Sequence, residues 1–342
     1  MKKRYGAAGA IAFVLAGIFS CQAARESKNV QEVTQLRVGI SLYQGQDTFI
    51  NTVLASIEEE AKEYERREGI RLILDVADAK DDQNTQNSQT ERFLSLGCDV
   101  LCINMVDRTA ASGIINKAME AGVPVVFFNR EPVEEDMNRW ENLYYVGADP
   151  RKEAECQGQI LVDAYNRNTA LLDLNGDGEV GYVLLEGEGS HQDALIRTEW
   201  AIQTLKQNAV PLKKLAGGVA NWDRSQAAAL TEQWLLQYPN QIELIISNND
   251  DMALGALDVL GMQERGRRVA VAGIDGVPEG MKAVEEGKMM GTVSIDKEQY
   301  GKAVVEIATA AALKKPIPKA FALENGKYYR CPSKAYTQIK EN

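Results

Sequence analysis

The chain has 342 residues, 45 % of them hydrophobic and 25 % charged, which excludes whole-chain disorder and suits two domains of roughly 150 residues each. Its net charge of -11 argues against nucleic-acid binding, because an acidic surface repels phosphate backbones. A single histidine, His191, excludes a His-rich zinc site and leaves little room for histidine-driven acid–base chemistry.

The first segment reads as a targeting signal. Lys2, Lys3 and Arg4 precede an apolar run from Tyr5 to Phe19, followed by Ser20 and Cys21. The run is short for a bilayer span of about 20 residues. The stretch Ile18-Phe19-Ser20-Cys21 resembles a bacterial lipoprotein signal. That implies a signal peptide over 1–20, lipid on the Cys21 thiol and a polar lipid-anchored linker over 21–35. The product would be exported, either lipid-anchored to the outer face of the cell membrane or periplasmic. Cys98, Cys102, Cys156 and Cys331 lack metal-ligand spacing and are expected to be buried free thiols.

From Leu36 onward, short apolar runs alternate with longer amphipathic ones. LRVGISLY (36–43) predicts a strand, and Phe49, Ile50, Val53, Leu54, Ile57, Ala61 and Tyr64 fall at helical spacing. Strands are predicted at 71–78, 99–106 and 123–129, with helices ending near Gly97 and spanning 108–121. The pattern restarts after Val146. Helices are expected at 149–168, 192–207, 223–237, 250–263, 277–286 and 296–313. Strands are expected at 180–187, 213–219, 242–247, 268–275 and 291–295, with one more around Lys327–Cys331. Such βαβ alternation implies parallel sheets covered by helices, here in two similar α/β lobes.

Ligands of open α/β sheets bind beyond the carboxyl ends of the strands. Polar and aromatic residues recur there: Tyr43, Asp47 and Phe49; Asn129 and Arg130; His191, Asp193 and Arg197; Trp222; Asn249; Asp275. Asp and Asn are also ordinary helix N-caps, so any one of these positions alone is weak. Together they point to a cleft between facing lobes. Carboxylates and amides suit hydroxyl groups, and the flat faces of Phe49 and Trp222 suit the C–H faces of a pyranose. Trp140, Trp200 and Trp234 sit in helical or loop context and are expected to pack.

A second constellation is Asp173-Leu174-Asn175-Gly176-Asp177-Gly178-Glu179-Val180-Gly181. Oxygen-bearing side chains fall at loop positions 1, 3 and 5, Gly178 takes the sharp turn at 6, and the Glu179 carbonyl can serve at 7. This is the first part of an EF-hand calcium loop. Position 12 is Leu184 instead of Glu, and a strand follows, so a carboxylate must come from elsewhere.

The stretches VVFFNREP (125–132), YYVGAD (144–149), DLNGDGE (173–179), HQDALIR (191–197), NWDRSQA (221–227), SNNDDMALGA (247–256) and GIDGVPE (273–279) resemble the periplasmic D-galactose/D-glucose-binding proteins of ABC sugar uptake. The resemblance runs from about Arg37 to the C-terminal tail. It implies the type I periplasmic binding protein fold, two Rossmann-like lobes joined by a three-segment hinge. The first lobe would be 36–147 plus 296–318, and the second 148–295 plus 319–342. It also implies that Phe49 and Trp222 sandwich the sugar, and that Asp47, Asn129, His191, Asp193, Arg197, Asn249 and Asp275 bind its oxygens. Asp173, Asn175, Asp177, Glu179 and Glu243 would hold Ca2+. The expected partners are a monosaccharide, D-glucose or D-galactose, and ABC permease subunits, with the protein a monomer. A second reading keeps the fold and makes it a sugar sensor for a chemoreceptor or histidine kinase.

Two positions depart from the family pattern. Ile295 stands where the family has a sugar-binding Asn, which removes a hydrogen bond worth roughly 0.5–1.5 kcal/mol. Gly181 stands where the family often has a side-chain calcium ligand, and a water can substitute there. Enzyme readings fail. Glycoside hydrolysis needs one carboxyl with a raised pKa, whereas these carboxylates are expected to stay ionised among amides and cations. No G-x-S-x-G elbow is present either. The export signal, the acidity and the lack of an N-terminal helix-turn-helix argue against a sugar-responsive repressor.

Overall fold

The structure, a computed structural model, describes residues 34–262 and 269–338. The signal peptide, Cys21 and nearly all of the linker lie outside the described residues. Among the described residues, no helix is long and apolar enough to cross a membrane.

Two six-stranded sheets form the frame. The first contains β1 (Gln35–Leu42), β2 (Arg71–Asp78), β3 (Val100–Ile103), β4 (Val125–Phe128), β5 (Leu143–Gly147) and β11 (Tyr328–Arg330), in the order β11-β5-β4-β3-β1-β2, with every pair parallel. Helices α1 (Thr48–Glu68), α2 (Gln83–Ser95) and α3 (Ala111–Ala121) connect its strands, and a short unforeseen α4 (Glu134–Met137) precedes β5. Strands β3 and β4 are wholly buried, as their unbroken VLCI and VVFF runs require of a sheet covered on both faces.

The second sheet contains β6 (Val180–Glu186), β7 (Leu212–Val219), β8 (Leu244–Ser247), β9 (Ala270–Asp275), β10 (Gly291–Ile295) and β12 (Ser333–Thr337), in the order β12-β10-β9-β8-β6-β7. Only β12 runs antiparallel. Helices α5 (Pro150–Arg167), α6 (Gln192–Gln207), α7 (Arg224–Gln237), α8 (Asp250–Met262) and α9 (Pro278–Glu285) belong to this lobe, whereas α10 (Lys297–Ala312) packs back on α1 and β3 to β5 of the first.

The chain therefore crosses between lobes three times, near 148, 296 and 331. The crossings are tied to each other: the Cys331 amide donates to Gly147 O at 2.7 Å and the Asp296 amide to Pro332 O at 3.0 Å. The third crossing corrects the expected boundary. The segment ending in β11 stays with the first lobe, because β11 pairs in parallel with β5 and Tyr328 packs beside Tyr145. A buried aromatic pair outweighs what a three-residue strand shows by pattern alone. Cys98, Cys102 and Cys331 are buried free thiols, while Cys156 is free but only half-buried. Trp234 is core, and Trp140 and Trp200 are partly buried packing residues.

Helices α1 and α10 approach most closely at Gly301, where a Cβ would lie 2.5 Å from the carbonyl carbon of Ser56. The Ser56 hydroxyl donates to Lys297 O at 2.6 Å across the same contact. Gly301→Ala should destabilise the protein by about 1–3 kcal/mol in urea unfolding, through overpacking. An unchanged midpoint would show that the two helices can part without loss.

Candidate functional site

The carboxyl ends of β1, β4, β6, β7, β8 and β9 converge on one cleft between the lobes. It encloses about 350 Å3 of atom-free space, counting the part open to solvent, and is lined by eleven residues, among them all nine expected ligand residues. Asp47, Phe49 and Asn129 come from the first lobe, and His191, Asp193, Arg197, Trp222, Asn249 and Asp275 from the second. Tyr43 and Arg130, not assigned to ligand from sequence, complete the lining. Ile295 is not among these residues. It is 2 % exposed and lines a separate hinge-side pocket.

Capping does not remove these residues from the cleft: Asp47, His191 and Asn249 cap helices and also line it. Asp47 caps α1 through Oδ1, which accepts from the Ile50 amide at 2.8 Å, while Oδ2 accepts from the Tyr43 hydroxyl at 2.6 Å. His191 caps α6, its Nδ1 accepting from the Asp193 amide at 3.1 Å. The remaining ring nitrogen then carries the proton and is a donor. Burial foremost, then Arg130, Arg197 and Arg108, lowers the His191 pKa well below its ordinary value, so the ring is neutral. Asn249 Oδ1 accepts from the Met252 amide at 2.9 Å. Each cap spends one polar atom and leaves another for the cleft.

Arg197 is the centre of the second-lobe wall. Its Nε and Nη2 donate to Glu153 Oε2 at 3.1 and 2.8 Å, and Nη1 donates to Asn248 O at 2.9 Å. Nη1 also lies 3.5 Å from Asp275 Oδ1. Burial raises the Asp193 pKa to about 6 and the Glu153 pKa to about 7, both moderated by Arg197. Asp275 is raised well above its ordinary value, again by burial, with Arg197 opposing. The expectation that amides and cations keep these carboxylates ionised, with none raised, is thus corrected at Asp193 and Asp275, where desolvation outweighs the nearby guanidinium groups.

The aromatic residues face the cleft from opposite lobes. Phe49 stands edge-on to Tyr300 at 6.2 Å, and Trp222 edge-on to His191 at 5.3 Å. Asn129 (φ 63°), Trp222 (φ 63°) and Asp275 (φ 115°) all have positive φ without being glycine. At these three positions the strained backbone turns a side chain toward the cleft. The lobes also touch directly: Arg130 Nη2 donates to Glu188 Oε1 at 2.6 Å while its guanidinium lies 3.7 Å from the Tyr43 ring centroid. Lys297 Nζ donates to Asp275 O at 2.7 Å and to Gly276 O.

Away from the cleft, the 173–181 loop winds on its own side chains. Asp173 accepts from the Gly176 and Gly178 amides at 2.7 and 3.0 Å, and Asn175 from the Asp177 amide at 2.7 Å. Glu243, remote in sequence, accepts from the Leu174 and Asn175 amides at 2.8 and 2.9 Å and from the Gly181 amide at 2.8 Å. Among the described residues no three of His, Cys, Asp and Glu converge as a metal cluster. The donor chemistry is nevertheless all oxygen, which suits a hard divalent cation.

Sequence reasoning missed Glu153, which is fully buried and grips Arg197. Nothing in its local sequence distinguishes it from the solvated acidic residues common in first helical turns.

Two α/β lobes closing a polar, aromatic-walled cleft define a solute-binding protein, not an enzyme. A family model for the periplasmic binding protein domain matches residues 38–316, and the chain belongs to that family. It is 38 % identical over 277 residues to the D-galactose/methyl-galactoside binding periplasmic protein MglB of Haemophilus influenzae, covering 81 % of each chain. It is 27 % identical over 282 residues to the ribose import binding protein RbsB of Bacillus subtilis, covering 82 % of each. Among solved structures, an ABC transporter solute binding protein from Bacillus halodurans with bound myo-inositol aligns with a TM-score of 0.72 at 27 % identity, covering 90 % of this chain and 96 % of that one.

A raised carboxyl pKa has a stability signature. Asp250 is buried, accepts from the Thr292 hydroxyl at 2.6 Å and the Val277 amide at 2.9 Å, and has a pKa lifted to about 7 by burial. A raised folded value means that the native state holds more protons than the unfolded chain between about pH 4 and 7, so this contribution to stability is lost as pH rises through that window. The urea stability of the wild type relative to Asp250→Asn should therefore shrink from pH 4.5 to 7.5. A constant difference would contradict the raised value.

Proposed function

We propose that this protein is the sugar-binding component of an ABC importer and that its cleft takes D-galactose or D-glucose as the pyranose. The observation that carries the reading is the pairing of Phe49 and Trp222 on opposite lobes with the Asp193–Arg197–Asp275 belt between them. Two flat apolar faces and an equatorial rim of directional donors and acceptors match a pyranose on both counts. The galactoside specificity in the name of the 38 %-identical relative favours a hexose over a pentose. Only a ligand that bridges both lobes gains contacts in the closed form that the open form lacks, so the ligand shifts the hinge equilibrium toward closure. The closed form is what the permease would recognise. Asp47, Asn129, His191 and Asn249 would supply the remaining hydroxyl contacts, and Cys21, once lipidated, would tether the receptor to the membrane beside its permease.

Isothermal titration of residues 22–342 with D-galactose, D-glucose, D-ribose and myo-inositol tests the reading. One-to-one binding of a hexose is expected, weakened at least about tenfold in Trp222→Ala by loss of ring stacking and burial. Binding of none of these would reject the sugar-receptor reading. Binding of ribose or myo-inositol alone would reject the hexose assignment.

The 173–181 loop would hold Ca2+ through Asp173, Asn175, Asp177, the Glu179 carbonyl and Glu243. Bound calcium would fasten the loop to the segment entering β8, stabilising the native state by mass action. EGTA should lower the melting temperature and Ca2+ restore it, with Glu243→Gln insensitive to both. A melting temperature indifferent to EGTA in the wild type would remove the metal from the account.

A further inference from the structure

Glu153 is a fully buried charged group of the second lobe with no assigned role. It lies in the first turn of α5, directly after the first crossing between lobes. One carboxylate oxygen receives both Nε and Nη2 of Arg197, while the other, Oε1, is buried without a partner. One turn further along the same helix face, Gln157 Nε2 donates to Ser247 O at 2.8 Å and Ala272 O at 3.2 Å. The inward face of α5 thus grips the end of β8 and the middle of β9, the two strands that present Asn249 and Asp275.

We propose that Glu153 is a positioning residue for ligand binding, clamping the Arg197 guanidinium in plane so that it and Asp275 meet the ligand already oriented. The inference rests on the reading of the cleft as a sugar site. Three of the five Arg197 N–H directions are committed before any ligand arrives, two to Glu153 and one to Asn248 O. A long, flexible side chain fixed in advance loses less entropy on binding. The grip depends on the carboxylate charge. Arg197 favours the ionised form of Glu153, while Asp149, Asp193 and Asp275 repel it. The thiols of Cys156 and Cys331 and the hydroxyl of Tyr300 face the same carboxylate and are neutral near pH 7. The Glu153 pKa near 7 therefore puts loss of the grip within reach of mild acid.

The test is titration of D-galactose and D-glucose into the full chain and its Glu153→Gln and Glu153→Asp variants from pH 8.5 to 5.5, with circular dichroism melts. At pH 8 the Gln variant should bind about ten- to a hundredfold more weakly, the scale of a lost hydrogen bond to a charged group. The Asp variant, which keeps the charge, should lose less. The wild type should weaken as pH falls through about 7, approaching the Gln variant, whose affinity should be nearly level from pH 8 to 6.5. A folded Gln variant that binds within twofold of wild type at pH 8, or that shows the same pH profile, overturns the positioning role. If the Gln variant does not fold, wild-type affinity that stays level between pH 8 and 6.5 overturns it. A wild type that binds neither sugar at any pH overturns the functional reading first and this inference with it.

Discussion

One guanidinium set among three carboxylates is the constraint on which the rest of the site depends. Arg197, Glu153 and Asp275 are buried, and Asp193 is half-buried. Each of these groups is expensive to take out of water as an ion, and the cations nearby do not offset that cost, so burial raises all three carboxyl pKa values. The cluster holds only because α5, α6, β8 and β9 deliver its members from four directions and the backbone of Asn248 takes one guanidinium N–H. A hydroxyl-rich ligand supplies what the cluster lacks, donors for Asp193 and Asp275. On this account, an unfavourable electrostatic balance in the empty cleft becomes part of the driving force for closure around a sugar.

Closure also has contacts of its own. Arg130 and Glu188 meet across the cleft mouth, and the Lys297 ammonium ties the first-lobe helix α10 to the backbone carbonyls of Asp275 and Gly276. Within the first lobe, Tyr300 donates to Val146 O at 3.0 Å while its ring stands against Phe49. These groups leave the sugar-facing atoms free and hold the two walls at a fixed separation. The hinge lies immediately behind them, so a change in crossing geometry is felt at Asp275, whose φ of 115° already marks it as strained.

Much of this was legible in the sequence, for physical reasons. Fully buried parallel strands appear as unbroken apolar runs, and helices begin at Asp or Asn caps, so the strand ends could be found and the residues beyond them collected. Capping and ligand binding looked like rivals, but Asp47, His191 and Asn249 have enough polar atoms for both. What could not be read depends on contacts between distant segments. The side to which the segment ending in β11 belongs is decided by its pairing with β5 and by Tyr328 against Tyr145, not by local pattern. The role of Glu153 exists only because Arg197 lies opposite it, 44 residues away. The raised carboxyl pKa values arise from depth of burial, which composition does not carry. Ile295 was read as a lost sugar contact, and it instead packs in the hinge-side core, away from the cleft lining.

The central claim is that a pyranose closes the cleft between Phe49 and Trp222. A crystal structure grown with D-galactose tests it most directly. The account predicts one sugar with its ring between those two aromatic side chains and its hydroxyls within about 3.2 Å of Asp193, Arg197 and Asp275. Sugar bound elsewhere on the protein, or a closed cleft with the ring clear of Phe49 and Trp222, would contradict it.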